Sequence, residues 1–257
     1  MNAALRLRVV GSSPAMPRPG SACSSYLVQT HAAAVVLDLG SGAFAKLELA
    51  LEYTSVDAIV VSHLHADHFF DLVPFRYALK YGHLPFGERV ALWLPPGGRD
   101  ALEALRKAVS PDAPADFFDG VFRVREYDPR KSLDIKDTQL RFQRTKHYID
   151  AYAVRVDRDG KSVTYSADTA PCDSVVEHAR GSSIFLCEAA LGLHTEEGER
   201  GHSSAEEAGE MAHRAGVGRL VLTHYRAAYS PEALVAAAKR HFSGPVEAAT
   251  DGLALAC

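Results

Sequence analysis

The densest chemistry in the chain lies in Ser62-His63-Leu64-His65-Ala66-Asp67-His68, where three imidazoles and a carboxylate fall between positions 63 and 68. Nitrogen and oxygen donors of this kind are the set that zinc and other borderline divalent metals prefer. His63 and His65, two positions apart in an extended turn, can aim both rings the same way. Asp67 and His68 follow where the chain enters a helix and can face a second point, so one cluster can serve two metals. The cluster cannot complete two coordination spheres alone. Further donors are expected from His147, from Asp168 in Ser166-Ala167-Asp168-Thr169 and from His224 in Leu222-Thr223-His224. Asp168 could bridge two metals with its two carboxylate oxygens.

Positioning such scattered donors requires ordered elements. Short runs rich in Val, Ile, Leu and Tyr alternate with helical segments, the pattern of an α/β protein. Strands are expected at 5–10, 25–29, 35–38, 58–62, 90–94, 139–145, 151–156, 162–166, 184–187, 219–223 and 246–249. Helices are expected at 44–52, 69–80, 99–108, 173–179, 204–215 and 231–240, with Pro74 kinking the second or delaying its start. That many strands suits two packed sheets flanked by helices better than one Rossmann sheet. Four polar residues follow apolar strands: His63, Asp168, Glu188 and His224. Ligands gather beyond the carboxyl ends of strands in open α/β sheets, so strands sharing one direction would bring these four to one edge.

His202 stands just before Ser203, and Ser203-x-x-Glu206 reads as a capping box opening an amphipathic helix. A helix start favours anions such as phosphate. An imidazole held there and steadied by a carboxylate such as Glu188 can donate a proton to a departing alkoxide. His31, His178, His194, His213 and His241 read as solvated, with His83, beside Tyr81 and Pro85, a secondary candidate for the cleft wall. Phe69, Val73, Tyr77 and Leu79 read as core rather than substrate contacts.

Composition narrows the function classes. The 257 residues, 47% apolar and 23% charged, fit a soluble globular protein built as one domain. No apolar run approaches the roughly 18 residues of a membrane span. A net charge of −4 argues against a protein gripping long nucleic acid. Cys23, Cys172, Cys187 and Cys257 form no C-x-x-C pair, which suits free thiols in a reducing cytosol. Arg6 and Arg8 fall where a signal peptide needs its apolar stretch, so a cytoplasmic location is expected.

Taken in order, H-x-H-x-D-H, a lone His, S-A-D-T and L-T-H resemble the metallo-β-lactamase superfamily. The ribonuclease Z-like branch is the nearer likeness. It is carried by Val10-Gly11-Ser12-Ser13-Pro14 with Ser24-Ser25-Tyr26, by Glu188 in Cys187-Glu188-Ala189, and by Gly201-His202-Ser203-Ser204-Ala205-Glu206-Glu207-Ala208-Gly209. The resemblance implies a four-layer αββα sandwich holding two divalent metal ions, zinc by default with manganese or iron accommodated. One ion would take His63, His65 and His147, the other Asp67, His68 and His224, with Asp168 between them. It also implies pairing of Glu188 with His202, and a homodimer. The di-iron oxygen-reducing branch is disfavoured, because it carries a Glu where this chain has His65.

Two such metals about 3.5–4 Å apart can deprotonate a water between them and clamp phosphoryl oxygens. The expected reaction is in-line attack of that hydroxide on phosphorus, with Asp67 orienting it and His202 protonating the leaving oxygen. Ribonuclease Z proper carries a long tRNA-holding arm between its lone His and its bridging Asp. Here His147 and Asp168 are only 21 positions apart, with two strands and the Asp159-Gly160 turn between them. A small phosphodiester such as a 3′,5′-cyclic nucleotide is therefore expected, as in the armless atypical class II cyclic AMP phosphodiesterases. The rivals are RNA 3′-end processing, hydrolysis of a lactone, thioester or aryl sulfate, and a non-catalytic binding role on the same frame.

Overall fold

The fold was obtained as a computed structural model that describes residues 5–84 and 87–257. The first residues of the expected charged start, and Pro85 beside His83, lie outside the described residues.

Among the described residues, fourteen strands form two seven-stranded sheets. The first sheet takes β1 (Arg6–Gly11), β2 (Ser25–Gln29), β3 (Ala34–Leu37), β4 (Ala58–Val60), β5 (Val90–Leu94) and β6 (Phe122–Glu126). The second takes β7 (Leu133–Ile135), β8 (Thr138–Arg144), β9 (Tyr152–Arg158), β10 (Lys161–Tyr165), β11 (Ile184–Glu188), β12 (Leu220–Thr223) and β13 (Val246–Ala248). The last strand, β14 (Ala254–Ala256), returns to the first sheet and pairs with β1. Each sheet is antiparallel at one side and parallel at the other: β3 to β6 run parallel in the first, β10 to β13 in the second. The helices are α1 (Ala43–Leu47), α2 (Ala66–Phe69), α3 (Leu72–Tyr81), α4 (Gly98–Val109), α5 (Asp173–Ala179), α6 (Ala205–Ala215) and α7 (Pro231–Ala238).

Side-chain alternation along the strands produces the layers. Val35, Leu37 and Val60 of the first sheet meet Val163, Leu186 and Val221 of the second in the central core. Their neighbours Val36 and Ile59 turn outward against Leu47, Leu72 and Phe75 of the first helical layer. Leu220 and Leu222 likewise turn outward against Val176, Met211 and Leu234 of α5, α6 and α7. The result is the αββα sandwich anticipated from the motifs. Among the described residues, no helix is long and apolar enough to cross a membrane.

Several local expectations need correction. The helix expected at 69–80 is two helices broken at Phe70-Asp71, and α3 starts late enough to place Pro74 in its first turn, where the missing N–H costs no helical bond. Three strands were not anticipated: β6, whose Arg123 and Arg125 interrupt the apolar pattern, and the three-residue β7 and β14. Tyr77 is 40% exposed rather than core. His178 is half-buried, not solvated; burial pulls its pKa down to about 4, and its Nε2–H donates to the Arg141 carbonyl at 3.2 Å.

The capping box opening α6 is one residue later than expected. Ser204 accepts from the Glu207 amide at 3.3 Å, and Glu207 accepts from the Ser204 amide at 2.9 Å. Ser203 is engaged elsewhere, donating its hydroxyl to the Thr169 carbonyl at 2.6 Å. Between β9 and β10, Asp159 and Gly160 both take positive φ (47° and 73°), the signature of a two-residue hairpin turn. The interval between His147 and Asp168 is filled by this hairpin.

Candidate metal centre

Two sheets, not one, supply the strand ends. Asp168, Glu188 and His224 stand at the carboxyl ends of the parallel neighbours β10, β11 and β12, whereas His63 follows β4 in the opposite sheet. Stacking of the sheets brings the two edges together. Asp38, Ala167 and His224 hold positive φ (58°, 51° and 55°) at these ends, backbone strain of the sort that clusters at functional sites.

Donor atoms of His63, His65, His147 and Asp168 lie within 4.8 Å of one another, as do those of Asp67, His68 and His224, and those of Asp168, His202 and His224. Asp168 sits where the groups meet. Its Oδ2 is 3.6 Å from His63 Nε2, 3.9 Å from His147 Nε2 and 3.3 Å from His224 Nε2, while its Oδ1 is 3.5 Å from His68 Nε2. Asp67 Oδ2 lies 3.4 Å from His68 Nε2 and 3.8 Å from His224 Nε2. Ligands at zinc distances in a tetrahedron stand about 3.4 Å from each other.

A second observation tests the fit. His63 Nε2, His68 Nε2 and Asp168 Oδ1 are buried and have no hydrogen-bond partner among the described residues. An unsatisfied buried polar atom costs about 1–3 kcal/mol, so three of them on and around Asp168 call for partners. Divalent cations satisfy such atoms, and the donors fall into groups that fit them, His63 in one and His68 in another, with Asp168 beside both.

The other ring nitrogens are held from behind, which fixes each imidazole's orientation. His68 Nδ1–H donates to Asp38 Oδ2 at 2.7 Å, and His147 Nδ1–H donates to the Gly201 carbonyl at 2.8 Å. His63 Nδ1 shares a hydrogen bond with Ser62 Oγ at 3.0 Å, and His224 Nδ1 shares one with Ser24 Oγ at 2.9 Å. Asp38 is fully buried and also accepts from the Ser62 amide (2.6 Å), the Ser62 hydroxyl (2.7 Å) and the Tyr165 hydroxyl (2.9 Å). Asp38, Ser62 and Tyr165 were not among the site residues expected from the sequence. Asp38 carried a usable signal, since it too is a polar residue directly after an apolar strand.

Electrostatics divides the imidazoles. Burial, reinforced by the neighbouring His68, holds His63 well below the ordinary histidine range. Burial acts the same way on His68, but Asp168 and Asp38 outweigh it and hold that ring well above. Burial would raise Asp168; His224 and His68 overcome it and keep the carboxylate ionised.

Beside this cluster lies a carboxylate–imidazole pair. His202 Nδ1–H donates to Glu188 Oε1 at 2.8 Å, leaving Nε2 free of that bond. Fully buried Glu188 is anchored by the Thr169 amide on Oε1 and the Ala190 amide on Oε2, both at 2.9 Å. Burial disfavours a charged His202, but Glu188 wins and lifts its pKa to about 9. His202 faces a cleft of about 580 Å³ with His65, Asp67, Asp168 and His224, and with Met16, Tyr148 and Arg226 on its outer wall. His83 is exposed and does not line it.

Residues 35–225 match the family described as the beta-lactamase superfamily domain. An uncharacterized protein of Mycobacterium leprae is 33% identical over 96% of this chain and 87% of its own length. The probable metallo-hydrolase YhfI of Bacillus subtilis is 29% identical over 96% of this chain and 98% of its own. The YhfI crystal structure, described as a metallo-beta-lactamase fold protein, superposes with a TM-score of 0.87, 26% identity and coverage of 98% and 99% of the two chains. A ribonuclease Z of Mycobacterium bovis is 29% identical over 96% of both chains. With its fold, its His/Asp clusters and these relatives agreeing, the chain belongs to the metallo-β-lactamase superfamily, as a metallo-hydrolase with ribonuclease Z among its kin.

Proposed function

We propose that this protein is a metal-dependent phosphodiesterase acting on a small anionic substrate such as a 3′,5′-cyclic nucleotide. In this reading His63, His65 and His147 hold one divalent ion, and Asp67, His68 and His224 hold a second. Asp168 contributes to both, and zinc is the first expectation for so many imidazoles. Such ions, when bound, supply charge neutralisation at phosphoryl oxygens and acidify water. Asp67 accepts a hydrogen bond from the attacking water and orients it. Glu188 holds His202 protonated at neutral pH, and the imidazolium gives its proton to the departing alkoxide.

The observation that carries the reading is the half-buried His202 paired with fully buried Glu188 beside the donor cluster. A phosphodiester with an alkoxide leaving group needs a dedicated proton donor, whereas an activated acyl or aryl ester does not. The tight β9–β10 turn and the net charge of −4 favour a compact substrate over a folded RNA. The ribonuclease named among the relatives keeps RNA 3′-end processing as the second reading. Hydrolysis of cyclic AMP measured beside cleavage of a radiolabelled precursor tRNA separates the two. The proposal expects turnover of the first, near two metals per chain by elemental analysis, and loss of activity on exhaustive chelation. Full turnover after chelation, or hydrolysis of neutral esters alone, sinks it.

A further inference from the structure

The outer wall of the cleft carries three side chains that the hydrolytic step does not use. Tyr148, next in sequence to His147, is 63% exposed, and Met16 is 67% exposed. At the mouth of a cleft, exposed side chains of that size offer a ligand ready contact area.

Neither side chain hangs from a loose loop. The Tyr148 ring packs on Gly201 so closely that a Cβ there would stand 2.7 Å from Tyr148 Cε2 and 2.8 Å from His147 Nδ1. Its centroid lies 5.2 Å from the His147 ring and 5.8 Å from the His202 ring. The segment bearing Met16 is clamped by Arg18, which donates to the Tyr225 carbonyl (2.6 Å), the Ser12 carbonyl (3.1 Å) and the Ser12 hydroxyl (2.7 Å). The same guanidinium stacks 4.0 Å over the Tyr225 ring. Arg226 follows directly, exposed on the cleft wall; its carbonyl accepts from the Tyr229 amide at 3.2 Å, and its guanidinium makes no hydrogen bond or ion pair among the described residues. It is the one Lys or Arg among the described lining residues.

We propose that Tyr148, with Met16, forms a stacking platform for a planar heteroaromatic ring, and that Arg226 takes the anionic group of the same ligand, so that the cleft selects nucleotides. An aromatic face and a polarisable thioether both favour a flat ring. An unpaired guanidinium is a ready partner for phosphate oxygens. The assignment deepens the phosphodiesterase reading and rests on it for the scissile bond, but it concerns binding.

Calorimetric titration of the metal-loaded protein with adenosine 5′-monophosphate, ribose 5-phosphate and adenosine tests it without turnover. The nucleotide is expected to bind at least about tenfold tighter than either fragment, as stacking on one aromatic ring implies. Tyr148→Ala should cost the nucleotide about tenfold and leave ribose 5-phosphate within about twofold, while Tyr148→Phe keeps the nucleotide's advantage. Arg226→Met should weaken both phosphorylated ligands and spare adenosine. Equal affinity of the unaltered protein for nucleotide and ribose 5-phosphate overturns the proposal, as does an equal loss for both on Tyr148→Ala. Turnover of bis(p-nitrophenyl) phosphate is measured in parallel. Binding that parses as expected with no diester hydrolysed upholds the platform and defeats the catalytic reading. Hydrolysis without any preference for the base defeats the platform alone.

Discussion

The cleft has a floor and a rim built on different principles. On the floor, His63, His68, Asp168 and His224 are at most 2% exposed, come from strand ends or, for His68, from the short helix α2, and are braced by other buried groups such as Asp38 and Ser24. On the rim, His65, His202, Tyr148 and Arg226 come from turns and loops and keep contact with solvent, while the His147 ring between rim and floor is closed off from it. A buried donor has no water to fall back on, so floor atoms are either satisfied by a cation or pay for their isolation. Rim groups can be exchanged without opening the core. On the proposed reading, the floor carries most of the metal donors with His65 reaching in from the rim, and the remaining rim groups face the substrate.

Substitutions can break or sharpen that division. Asp168→Ala, which removes the carboxylate common to two of the three donor groups, should lower kcat on the order of 10⁴-fold, the scale for groups that act as a unit. Elemental analysis of the same variant should show lost metal. His202→Ala should keep its metal and lose about 10²–10³-fold on alkyl phosphodiesters, with a much smaller loss on p-nitrophenyl diesters, whose leaving group needs no proton. Metal loss in this variant would move His202 to the floor.

The pH profile sharpens the same point. Glu188 raises His202 to about 9, so the ring is protonated below that value and loses its proton above it. Turnover of alkyl diesters should fall as pH rises through about 9, and that limb should be missing from His202→Ala. Asp38→Ala should weaken metal affinity about 10–100-fold without touching substrate directly, by freeing the His68 ring. It should also lower the melting temperature, because Ser62 and Tyr165 lose their buried acceptor. The smallest effect is expected for Tyr148→Phe on the rim, within about twofold in KM, since the phenolic oxygen makes no hydrogen bond among the described residues.

Much of the floor was legible in the sequence because chemistry and position coincide there. A polar residue after an apolar run marks a strand's carboxyl end, and His63, Asp168, Glu188 and His224 all obey that rule. The rule does not say which sheet a strand joins, so His63 was expected on the same edge as the others when it comes from the facing one. Asp38 obeys it equally, yet its four hydrogen bonds come from residues up to 127 positions away, and its role exists only once the sheets stack. The start of α6 shows the same limit locally. Ser203-x-x-Glu206 and Ser204-x-x-Glu207 both spell a capping box, and only the tertiary bond from Ser203 to Thr169 decides between them. The rim was legible in its histidines and not in Tyr148, Met16 or Arg226, which carry no spacing signal.

Gly201 ties the two halves together. Its carbonyl fixes the tautomer of His147, and its bare α-carbon leaves room for both His147 and the Tyr148 ring. A single methyl group at that position would press on the His147 and Tyr148 rings at once. Changes that are to alter one of these rings and spare the other must therefore fall on the neighbours that rest on Gly201 rather than on Gly201 itself.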